Sequence, residues 1–282
     1  MDEQLYLLAV GLSLEEKVQK AIANLQEYER EALKQDPENG YWLCDSYGKD
    51  SGVILDLAKR SGVKFKAHHN LTTLDPPELI YHGRKNHLET IVHKPKVSML
   101  TRMIEKTNGP PTRRARWCCE EYKEQDNQYG IKIRVFGVRA AESARRKANW
   151  KIWQPNRRGG WILNPILYWT GEDVWRYTKE NNIPYCSLYD EGWTRLGCIG
   201  CPMAGNKRKQ EFQRWPKYES AWKRAFQKFW DKWHNVPKKD KQPRWFDRND
   251  QAIKINSWQD LWSWWMEEMP KQDDDECQMG LF

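Results

Sequence analysis

Residues 44–53 read CDSYGKDSGV, and they join an apolar run, YWLC at 41–44, to the helix-like stretch SGVILDLAKRSG at 51–62. The apolar run predicts a strand over 41–45, and the following stretch predicts a helix over 51–60. In an open α/β sheet, ligands bind outside the carboxyl ends of the strands, where this loop would lie. Backbone amides and the positive end of the helix dipole favour an anion at such a place.

The polar residues of this loop suit the phosphates of a ligand. Gly48 allows the backbone to come close to a phosphate, and Lys49 adds a positive charge. Ser46 and Ser51 add hydroxyl donors. Because Asp50 would repel a bare phosphate, we expect Mg²⁺ to accompany the ligand. An ordinary turn is the alternative, but a continuous run of polar or small residues favours binding.

Other predicted strands and helices alternate with this junction. Ser13 and Glu16 form a capping box at the start of a predicted N-terminal helix. Further strands are predicted at 63–69, 131–138 and 161–166, and helices at 13–35 and 171–182. This alternation predicts an α/β fold with an open, mostly parallel sheet and helices on both faces.

The overall composition limits the class of protein. The 282 residues include 47 Lys and Arg against 39 Asp and Glu, a formal net charge of +8. This charge suits a polyanionic partner and equally suits an ordinary basic protein. No segment approaches the roughly 18 apolar residues of a membrane span, and the N-terminus is acidic where a signal peptide is basic. We therefore expect a cytoplasmic protein whose seven cysteines serve metal or redox chemistry.

The composition changes from residue 206 onward. Five aromatic residues recur at helical spacing: Trp222, Phe226, Phe229, Trp230 and Trp233. Residues 207–248 contain 14 Lys and Arg against five Asp and Glu, a local net charge of +9. One interpretation is a helical C-terminal appendage that packs its aromatic stripe on the sheet domain and exposes a basic face. The other is a nucleic-acid surface with basic residues on phosphates and exposed rings stacked on bases.

Four motifs follow each other in the order found in a known superfamily. They are SYGKDS (46–51), TTLDPPE (72–78), FGVRAAESARR (136–146) and NPILYWTGEDVWRYTKENNIPYCSLYDEGWTRLGCIGCP (164–202). SYGKDS resembles the PP-loop, usually SGGxDS, of the adenine nucleotide alpha hydrolases and the related phosphoadenosine phosphosulfate (PAPS) reductases. The later motifs resemble the segment after the family's second strand, its G-x-R-x-x-E-S-x-x-R element and its P-I-x-x-W-x-x-x-D-V-W run with a Cys pair. The resemblance covers about residues 40–205.

The resemblance implies that the loop binds the pyrophosphate of ATP or the phosphates of a sulfonucleotide. It assigns nucleotide binding to Ser46, Tyr47, Gly48, Lys49, Asp50, Ser51, Thr73, Asp75, Gly137, Arg139, Glu142 and Ser143. It assigns catalysis to Lys49, Asp50, Arg139 and Arg146. The chemistry of the arginine side chains also suits this role without the resemblance, because planar bidentate donors fit an oxyanion leaving group or a sulfate. Salt bridges are their alternative role, and Arg145 is a weaker candidate.

Four cysteines form a candidate metal site. Cys118 and Cys119 are adjacent, and Cys198 and Cys201 form a C-x-x-C pair far along the chain. Four thiolates can hold Zn²⁺ or an iron–sulfur cluster, but zinc usually takes two spaced Cys pairs, which adjacent cysteines fit poorly. The arrangement resembles the [4Fe–4S] site of adenylylsulfate (APS) reductases and of the pyrophosphatase-like subunit in DNA phosphorothioation. We therefore favour a [4Fe–4S] cluster over Zn²⁺, and either over a metal-free role.

Two features distinguish reductases from ATP-cleaving members of this family. Reductase loops resemble S-x-G-A-E-D, whereas ATP-cleaving members carry G-K-D-S, as this chain does. A lysine at this place stabilises charge that develops as the α–β phosphate bond breaks. Reductases also end in E-C-G-x-H, but Glu276 and Cys277 are followed by QMGLF. Cys277 stays a candidate nucleophile, although the acidic residues at 273–276 disfavour its thiolate.

The last five residues, QMGLF, begin at Gln278 and end at Phe282. They resemble the Q-L-x-L-F peptide with which bacterial replication proteins bind the sliding clamp. Leu281 and Phe282 would fill a pocket on that partner, and the acidic stretch before them would be the linker. A terminus without a partner is the alternative.

These patterns divide the chain into four parts. They are an N-terminal helical segment (1–38), a PP-loop nucleotide-binding α/β domain with the cysteines (39–205), a basic, Trp-rich helical appendage (206–270) and an acidic tail with the clamp-binding-like motif (271–282). The leading hypothesis is an ATP-pyrophosphatase-type enzyme that adenylates a substrate oxygen before iron–sulfur-assisted sulfur transfer. Its substrate would be nucleic acid, as in DNA modification in a phage or mobile-element setting. The alternatives are a PAPS or APS reductase that uses Cys277 and thioredoxin, and a non-catalytic, nucleotide-sensing DNA-associated adaptor.

Overall fold

The computed structural model describes residues 3–124, 130, 132–157, 159–236, 245 and 252–267. One sheet holds six strands in the order β3-β2-β1-β4-β6-β5. The strands are β1 (Tyr41–Cys44), β2 (Phe65–Asn70), β3 (Ile91–His93), β4 (Ile133–Val135), β5 (Trp153–Pro155) and β6 (Trp161–Leu163). Neighbouring strands run parallel, apart from the antiparallel pair β5 and β6. The predicted α/β class with a mostly parallel sheet is confirmed.

Helices connect and cover these strands. They are α1 (Glu3–Val10), α2 (Leu14–Gln35), α3 (Lys49–Ser61), α4 (Pro77–Asn86), α5 (Met99–Glu105), α6 (Trp117–Tyr122), α7 (Ala144–Asn149), α8 (Gly171–Glu180), α9 (Lys207–Arg214), α10 (Pro216–Trp233) and α11 (Trp258–Glu267). The three predicted helices are present as α2, α3 and α8, and Ser13 and Glu16 form the predicted capping box. Within the described ranges, no helix is both long and apolar enough to cross a bilayer.

Alternate residues of the strands pack on opposite faces of the sheet. Leu43, Val135 and Leu163 join α2, α3 and α8 in one apolar cluster. Ile162, the neighbour of Leu163, packs instead with Trp150 in a smaller cluster on the other face. This alternation follows from the pleat of the strands. Both faces of the sheet are therefore covered, as the sequence predicted.

The C-terminal helices contribute to a third apolar cluster, which we call the aromatic cluster. Its buried members from this segment are Phe212, Trp215, Trp222, Ala225, Phe226, Phe229, Trp245, Leu261 and Trp265. The same cluster contains Met99 and Met103 of α5. Trp222, Phe226 and Phe229 are therefore core residues, and the interpretation of these rings as an exposed stacking surface for bases is wrong.

The basic side of α10 faces solvent. Lys217, Arg224, Lys228 and Lys232 are exposed on this helix, as the appendage interpretation predicts. Arg208 differs from them, because it is buried and donates a hydrogen bond to the Trp265 carbonyl while its guanidinium lies over the Trp265 ring. Arg208 thus supports the fold.

A buried ion pair fastens α2 to the start of α8. Lys17 Nζ lies 2.7 Å from Asp173 Oδ2, and both side chains are largely buried. The same carboxylate accepts hydrogen bonds from the amide and hydroxyl of Thr170 at 2.6 and 2.9 Å. Burial by itself would raise the pKa of Asp173, but Lys17 and Thr170 outweigh it and hold this pKa below its ordinary value.

We expect Lys17→Met to destabilise the protein by about 3 kcal/mol at pH 7, because it leaves a buried carboxylate without its cation. A carboxyl group with a depressed pKa in the folded state stabilises the protein above its unfolded pKa, which is near 3.8 for Asp173. That contribution is lost as the pH falls through the lower folded pKa, so the difference between variant and wild type should shrink in acid. Urea denaturation across this pH range measures it. Lys34→Met, which removes an exposed pair with Glu31, is the control, and equal stability of both variants at pH 7 would contradict the prediction.

Candidate functional site

The loop at 45–48 leaves β1 where the sheet order changes direction. From β1 the chain continues to β2 on one side, and it later returns on the other side as β4. Open α/β sheets bind ligands in the crevice outside such a point. Helix α3 begins at Lys49, with Gly48 as its N-cap residue in an extended conformation. The predicted strand–loop–helix junction is therefore confirmed at the carboxyl edge of the sheet.

The hydroxyl groups of the loop turn toward each other. Ser51 donates a hydrogen bond to the Gly48 carbonyl at 2.9 Å, and its oxygen accepts one from Ser46 at 3.3 Å. A Cβ on Gly48 would lie 3.3 Å from the Tyr189 hydroxyl and 3.4 Å from the Ser46 hydroxyl. The same Tyr189 hydroxyl accepts a hydrogen bond from the Lys49 amide at 3.1 Å. The first amide of α3 thus already binds an oxygen atom.

Tyr47 anchors the loop to the protein interior. It occupies the position where the usual SGGxDS motif has glycine, and its φ of 61° is in the left-handed region that favours glycine. Its ring is buried and stacks on His69 with a centroid distance of 3.9 Å. The ring fits because α4 carries Gly83 at this point, where a Cβ would lie 2.3 Å from the tyrosine ring. Tyr47 therefore positions the loop backbone, while its side chain belongs to the core.

Asp45 also fixes the loop, and sequence reasoning missed it. Its buried carboxylate accepts hydrogen bonds from the Tyr47 amide at 2.9 Å and the Thr90 hydroxyl at 2.8 Å, and it pairs with His87 Nδ1 at 2.7 Å. Burial would raise the pKa of Asp45, but these partners hold it below its ordinary value. His87 and Thr90 are 42 and 45 residues away along the chain. No local pattern could have identified this network.

Three of the predicted catalytic residues meet at the start of α3. Asp50 lies between two cations, with Oδ2 at 2.6 Å from Lys49 Nζ and Oδ1 at 2.6 Å from Arg139 Nε. Their side chains are at most 20% exposed. Gly137 permits this approach, since a Cβ there would lie 3.1 Å from the Asp50 backbone. The loop after β1 and the segment after β4 are therefore joined across the crevice.

Glu142 connects Arg139 to the fourth predicted catalytic residue, Arg146. Its carboxylate pairs with both guanidinium groups and accepts a hydrogen bond from the Arg139 amide. Ser143 caps α7, and its hydroxyl accepts a hydrogen bond from the Arg146 amide at 3.1 Å. Arg145, the weaker candidate, is exposed. Ion pairing, the alternative role of these arginines, thus holds Arg139 and Arg146 in one charged cluster.

Thr73 and Asp75 follow β2 and contact different parts of the structure. Thr73 has a φ of 69°, and its hydroxyl accepts a hydrogen bond from the Met99 amide at the start of α5. Asp75 is buried, accepts a hydrogen bond from the Thr72 amide at 2.7 Å and lines a cavity. This cavity at the carboxyl ends of β1 and β2 is also lined by Trp42, Cys44, Asp45, Ser46, His68, His69, Asn70, Phe136 and Trp150. Asp75 therefore shares a cavity with Asp45 and Ser46 of the loop after β1, whereas Thr73 supports α5.

The four candidate metal-binding cysteines lie in the aromatic cluster. Cys118 and Cys119 belong to the first turn of α6, and Cys198 and Cys201 flank a turn closed by a hydrogen bond from the Cys201 amide to the Cys198 carbonyl. All four are buried. Burial raises the pKa of the Cys198 thiol to about 11, and the nearby Cys118 adds to this rise. The fold thus brings both cysteine pairs into one region.

The four thiols are suitable ligands for an iron–sulfur cluster, but their arrangement in the structure does not form a metal site. Four buried thiols in an apolar environment are the ligands that iron–sulfur clusters and zinc take. Nevertheless, in the part of the chain that the structure describes, no set of three or more His, Cys, Asp or Glu side chains is placed to hold a metal ion. The [4Fe–4S] cluster and its Zn²⁺ alternative therefore stay predictions.

The C-terminal helices hold the cysteine turn at 198–201. The Glu211 carboxylate accepts a hydrogen bond from the Gly200 amide at 2.8 Å, and the Trp222 indole donates one to the Ile199 carbonyl at 3.1 Å. Gly200 has a φ of 81°, and a Cβ there would lie 2.6 Å from the Trp222 indole nitrogen. Sequence reasoning treated the appendage apart from the cysteines, but the structure shows direct contact. Cys277 and the motif from Gln278 to Phe282 lie outside the described residues.

Comparison with known proteins agrees with the family resemblance of the motifs. A model of the phosphoadenosine phosphosulfate reductase domain matches residues 40–204. An uncharacterised protein of Methanocaldococcus jannaschii is 32% identical over 210 residues, which are 65% of this chain and 47% of that protein. An adenosine 5′-phosphosulfate reductase of Oceanobacillus iheyensis is 26% identical over 169 residues, 55% of this chain and 68% of that protein. The chain thus spans about half the length of the first of these relatives.

A solved structure shares the architecture. The phosphoadenylyl-sulfate reductase from Candida auris, in a phosphate complex, matches with a TM-score of 0.50 and 18% sequence identity. The match covers 71% of this chain and 97% of that chain. At this identity the likeness shows the fold alone.

Proposed function

The chain belongs to the phosphoadenosine phosphosulfate reductase domain family, and we propose that it acts in that family as an ATP-pyrophosphatase-type adenylating enzyme. It would bind ATP along the loop from Ser46 to Ser51 and release pyrophosphate. The observation that carries this proposal is the charged cluster of Lys49, Asp50 and Arg139 at the start of α3. Two cations there lie beside helix amides, at the edge of the sheet where phosphates bind in such folds.

In the proposed reaction, an oxygen of the substrate attacks the α-phosphorus of ATP. The bond between that phosphorus and the bridging oxygen breaks, and the electron pair leaves with pyrophosphate. Lys49 and Arg139 would stabilise the negative charge that develops on this leaving group. Asp50 holds both cationic side chains in place before the nucleotide arrives. Such preorganised charges need little rearrangement during the reaction.

Mg²⁺ would enter this reaction together with the nucleotide. Magnesium usually keeps several waters and binds through one or two carboxylates plus substrate phosphates. Asp50 is the carboxylate of the loop, and it already pairs with Lys49 and Arg139. The ion would supply further positive charge at the phosphates.

We further propose that adenylation prepares the substrate for sulfur transfer, with a [4Fe–4S] cluster held by Cys118, Cys119, Cys198 and Cys201. A link between the cysteines and the crevice supports this: Cys198 Sγ lies 3.4 Å from the hydroxyl of Thr72, whose amide binds Asp75. A bound cluster would supply iron that can bind sulfur. Nucleic acid is the proposed substrate, because the exposed side of α10 is basic. A sliding clamp remains the proposed partner of the QMGLF motif.

A PAPS or APS reductase is the second candidate. The similarity to the Oceanobacillus iheyensis reductase favours it, whereas Lys49 and the missing Gly-x-His sequence after Cys277 favour ATP cleavage. In this alternative, the Cys277 thiolate would attack the sulfur of the sulfonucleotide and displace the nucleotide phosphate. A thioredoxin-like dithiol would then reduce the adduct and release sulfite.

The third candidate is a nucleotide-sensing adaptor, which would bind the nucleotide without turnover.

One assay separates these functions. The purified protein, after anaerobic reconstitution with iron and sulfide, is incubated with ATP, APS or PAPS, each with and without DNA and a dithiol reductant. Pyrophosphate from ATP is expected, with the AMP moiety first bound to the substrate oxygen and then released when water or sulfide displaces it, and these products support adenylation. Sulfite from APS or PAPS, without ATP cleavage, would establish the reductase. Nucleotide binding without any product would establish the adaptor.

We expect protein purified without oxygen to carry about four iron atoms per chain and to absorb visible light broadly. Cys198→Ser and Cys118→Ser should each lower the iron content strongly, because each removes one of the proposed ligands. Cys186→Ser is the matched control, since Cys186 is buried in the same aromatic cluster but is not a proposed ligand. Metal analysis and absorbance measure the effect. One bound zinc, or neither metal, in the wild-type protein would exclude the cluster.

A further inference from the structure

We propose that Tyr189 is a phosphate-contacting residue, whose phenol donates a hydrogen bond to an oxygen of the bound nucleotide's phosphates. This inference rests on the proposed nucleotide binding at the loop from Ser46 to Ser51. It adds a side chain that lies 140 residues beyond Lys49, within the motif at 164–202, and that is not among the predicted nucleotide-binding residues.

The hydroxyl of Tyr189 lies beside Gly48 and Lys49, in the loop from Ser46 to Ser51. It accepts a hydrogen bond from the Lys49 amide at 3.1 Å, and it would lie 3.3 Å from a Cβ on Gly48. The Lys49 ammonium lies 5.6 Å from the centre of the tyrosine ring. An anion drawn to the start of α3 by its amides and by Lys49 must therefore meet this hydroxyl.

The hydrogen-bonding capacity of this hydroxyl is only partly used. A phenol donates one hydrogen bond and can also accept. The Lys49 amide uses the acceptor, and within the described part of the chain no acceptor receives the proton of Tyr189. Burial also raises the pKa of Tyr189, so the phenol keeps its proton at neutral pH. A phosphate oxygen could accept the hydrogen bond that this phenol has left to donate.

The ring of Tyr189 is held in place by its neighbours. The ring of Trp175 packs edge to face against it, with the ring centroids 5.2 Å apart. The ring centroid of Tyr185 lies 6.5 Å from that of Tyr189. The residue ends a short 3₁₀ helix, Ser187–Tyr189, whose central Leu188 is buried. A hydroxyl fixed in this way can bind a phosphate without a further loss of side-chain freedom.

The test uses Tyr189→Phe in the full chain, which removes one oxygen and keeps the ring. We expect the variant to bind ATP and inorganic pyrophosphate about tenfold more weakly in calorimetry, as for one lost hydrogen bond to a charged group. Its affinity for adenosine, followed by ligand-observed NMR, should be unchanged, because adenosine has no phosphate. Tyr185→Phe is the matched control, since that hydroxyl pairs with Asp190 outside the loop.

The possible outcomes separate this inference from the proposed function. Equal binding of ATP by wild type and Tyr189→Phe would overturn the role of Tyr189 and leave nucleotide binding intact. Tighter binding by the variant would show that the hydroxyl blocks the phosphate position, which also overturns the proposal. Equal weakening for adenosine would indicate a general structural effect instead. If the wild-type protein binds neither ATP nor pyrophosphate, both proposals are wrong.

Discussion

Lys49→Gln is expected to lower the rate of ATP cleavage about 10²- to 10³-fold, the usual cost of removing one group that stabilises charge in the transition state. The side chain lies 2.6 Å from Asp50 and in the same cluster as Arg139. Glutamine keeps much of the length of lysine but loses the charge. Pyrophosphate release at saturating ATP measures the effect on the chemical step.

Lys59→Gln is the matched control for this variant, because Lys59 is in the same helix and its side chain is about half exposed beside Glu89. It should cleave ATP at the wild-type rate. Thermal unfolding of both variants shows whether the fold is retained. A folded Lys49→Gln protein that releases pyrophosphate as fast as wild type would remove Lys49 from the proposed mechanism.

Gly83→Ala is expected to destabilise the protein by about 1–3 kcal/mol, the typical cost of overpacking a core. In an exposed helix the same change would stabilise, by about 1 kcal/mol, because alanine is the better helix former. In α4, however, the new Cβ would lie 2.3 Å from ring atoms of Tyr47. The ring would have to move, and the loop backbone around Tyr47 with it. Urea denaturation and ATP calorimetry should therefore show both lower stability and weaker binding.

A second substitution tests this explanation. Tyr47→Gly removes the ring and places glycine where φ is 61°, so Gly83→Ala combined with Tyr47→Gly should cost less than the two single changes together. Gly52→Ala in α3 is the control, since its Cβ would meet only a side-chain methyl of Ile183 at 3.6 Å. Strict additivity of the Gly83 and Tyr47 changes would show that the steric explanation is wrong.

Local patterns were enough to predict the framework of the fold. The run YWLC, the polar loop and the following helix predicted the junction of β1 and α3, because a strand and a helix each impose their own apolar spacing. The capping box predicted the start of α2 in the same way. Arg139 was found through its motif, and the structure places it beside Asp50. These features depend on short segments of sequence.

The remaining parts of the site depend on contacts between distant segments. Tyr189 contacts Lys49 from 140 residues away, and His87 reaches Asp45 from 42 residues away. Nothing near Tyr47 in the sequence indicates that Gly83 makes room for its ring. The two edge strands of the sheet, β3 and β5, were also missed by sequence reasoning. Such contacts arise only when the sheet has brought the loops together.

The aromatic cluster limits how this protein can change during evolution. A gene shortened after the cysteine turn would encode a chain whose Met99, Met103 and buried cysteines had lost their covering helices. Such a product would expose a large apolar surface and aggregate. Exchange of the C-terminal helices by recombination would require matching changes around Gly200 in the same event. We therefore expect natural variants to keep both the cysteine turn and the C-terminal helices, or to lose them together.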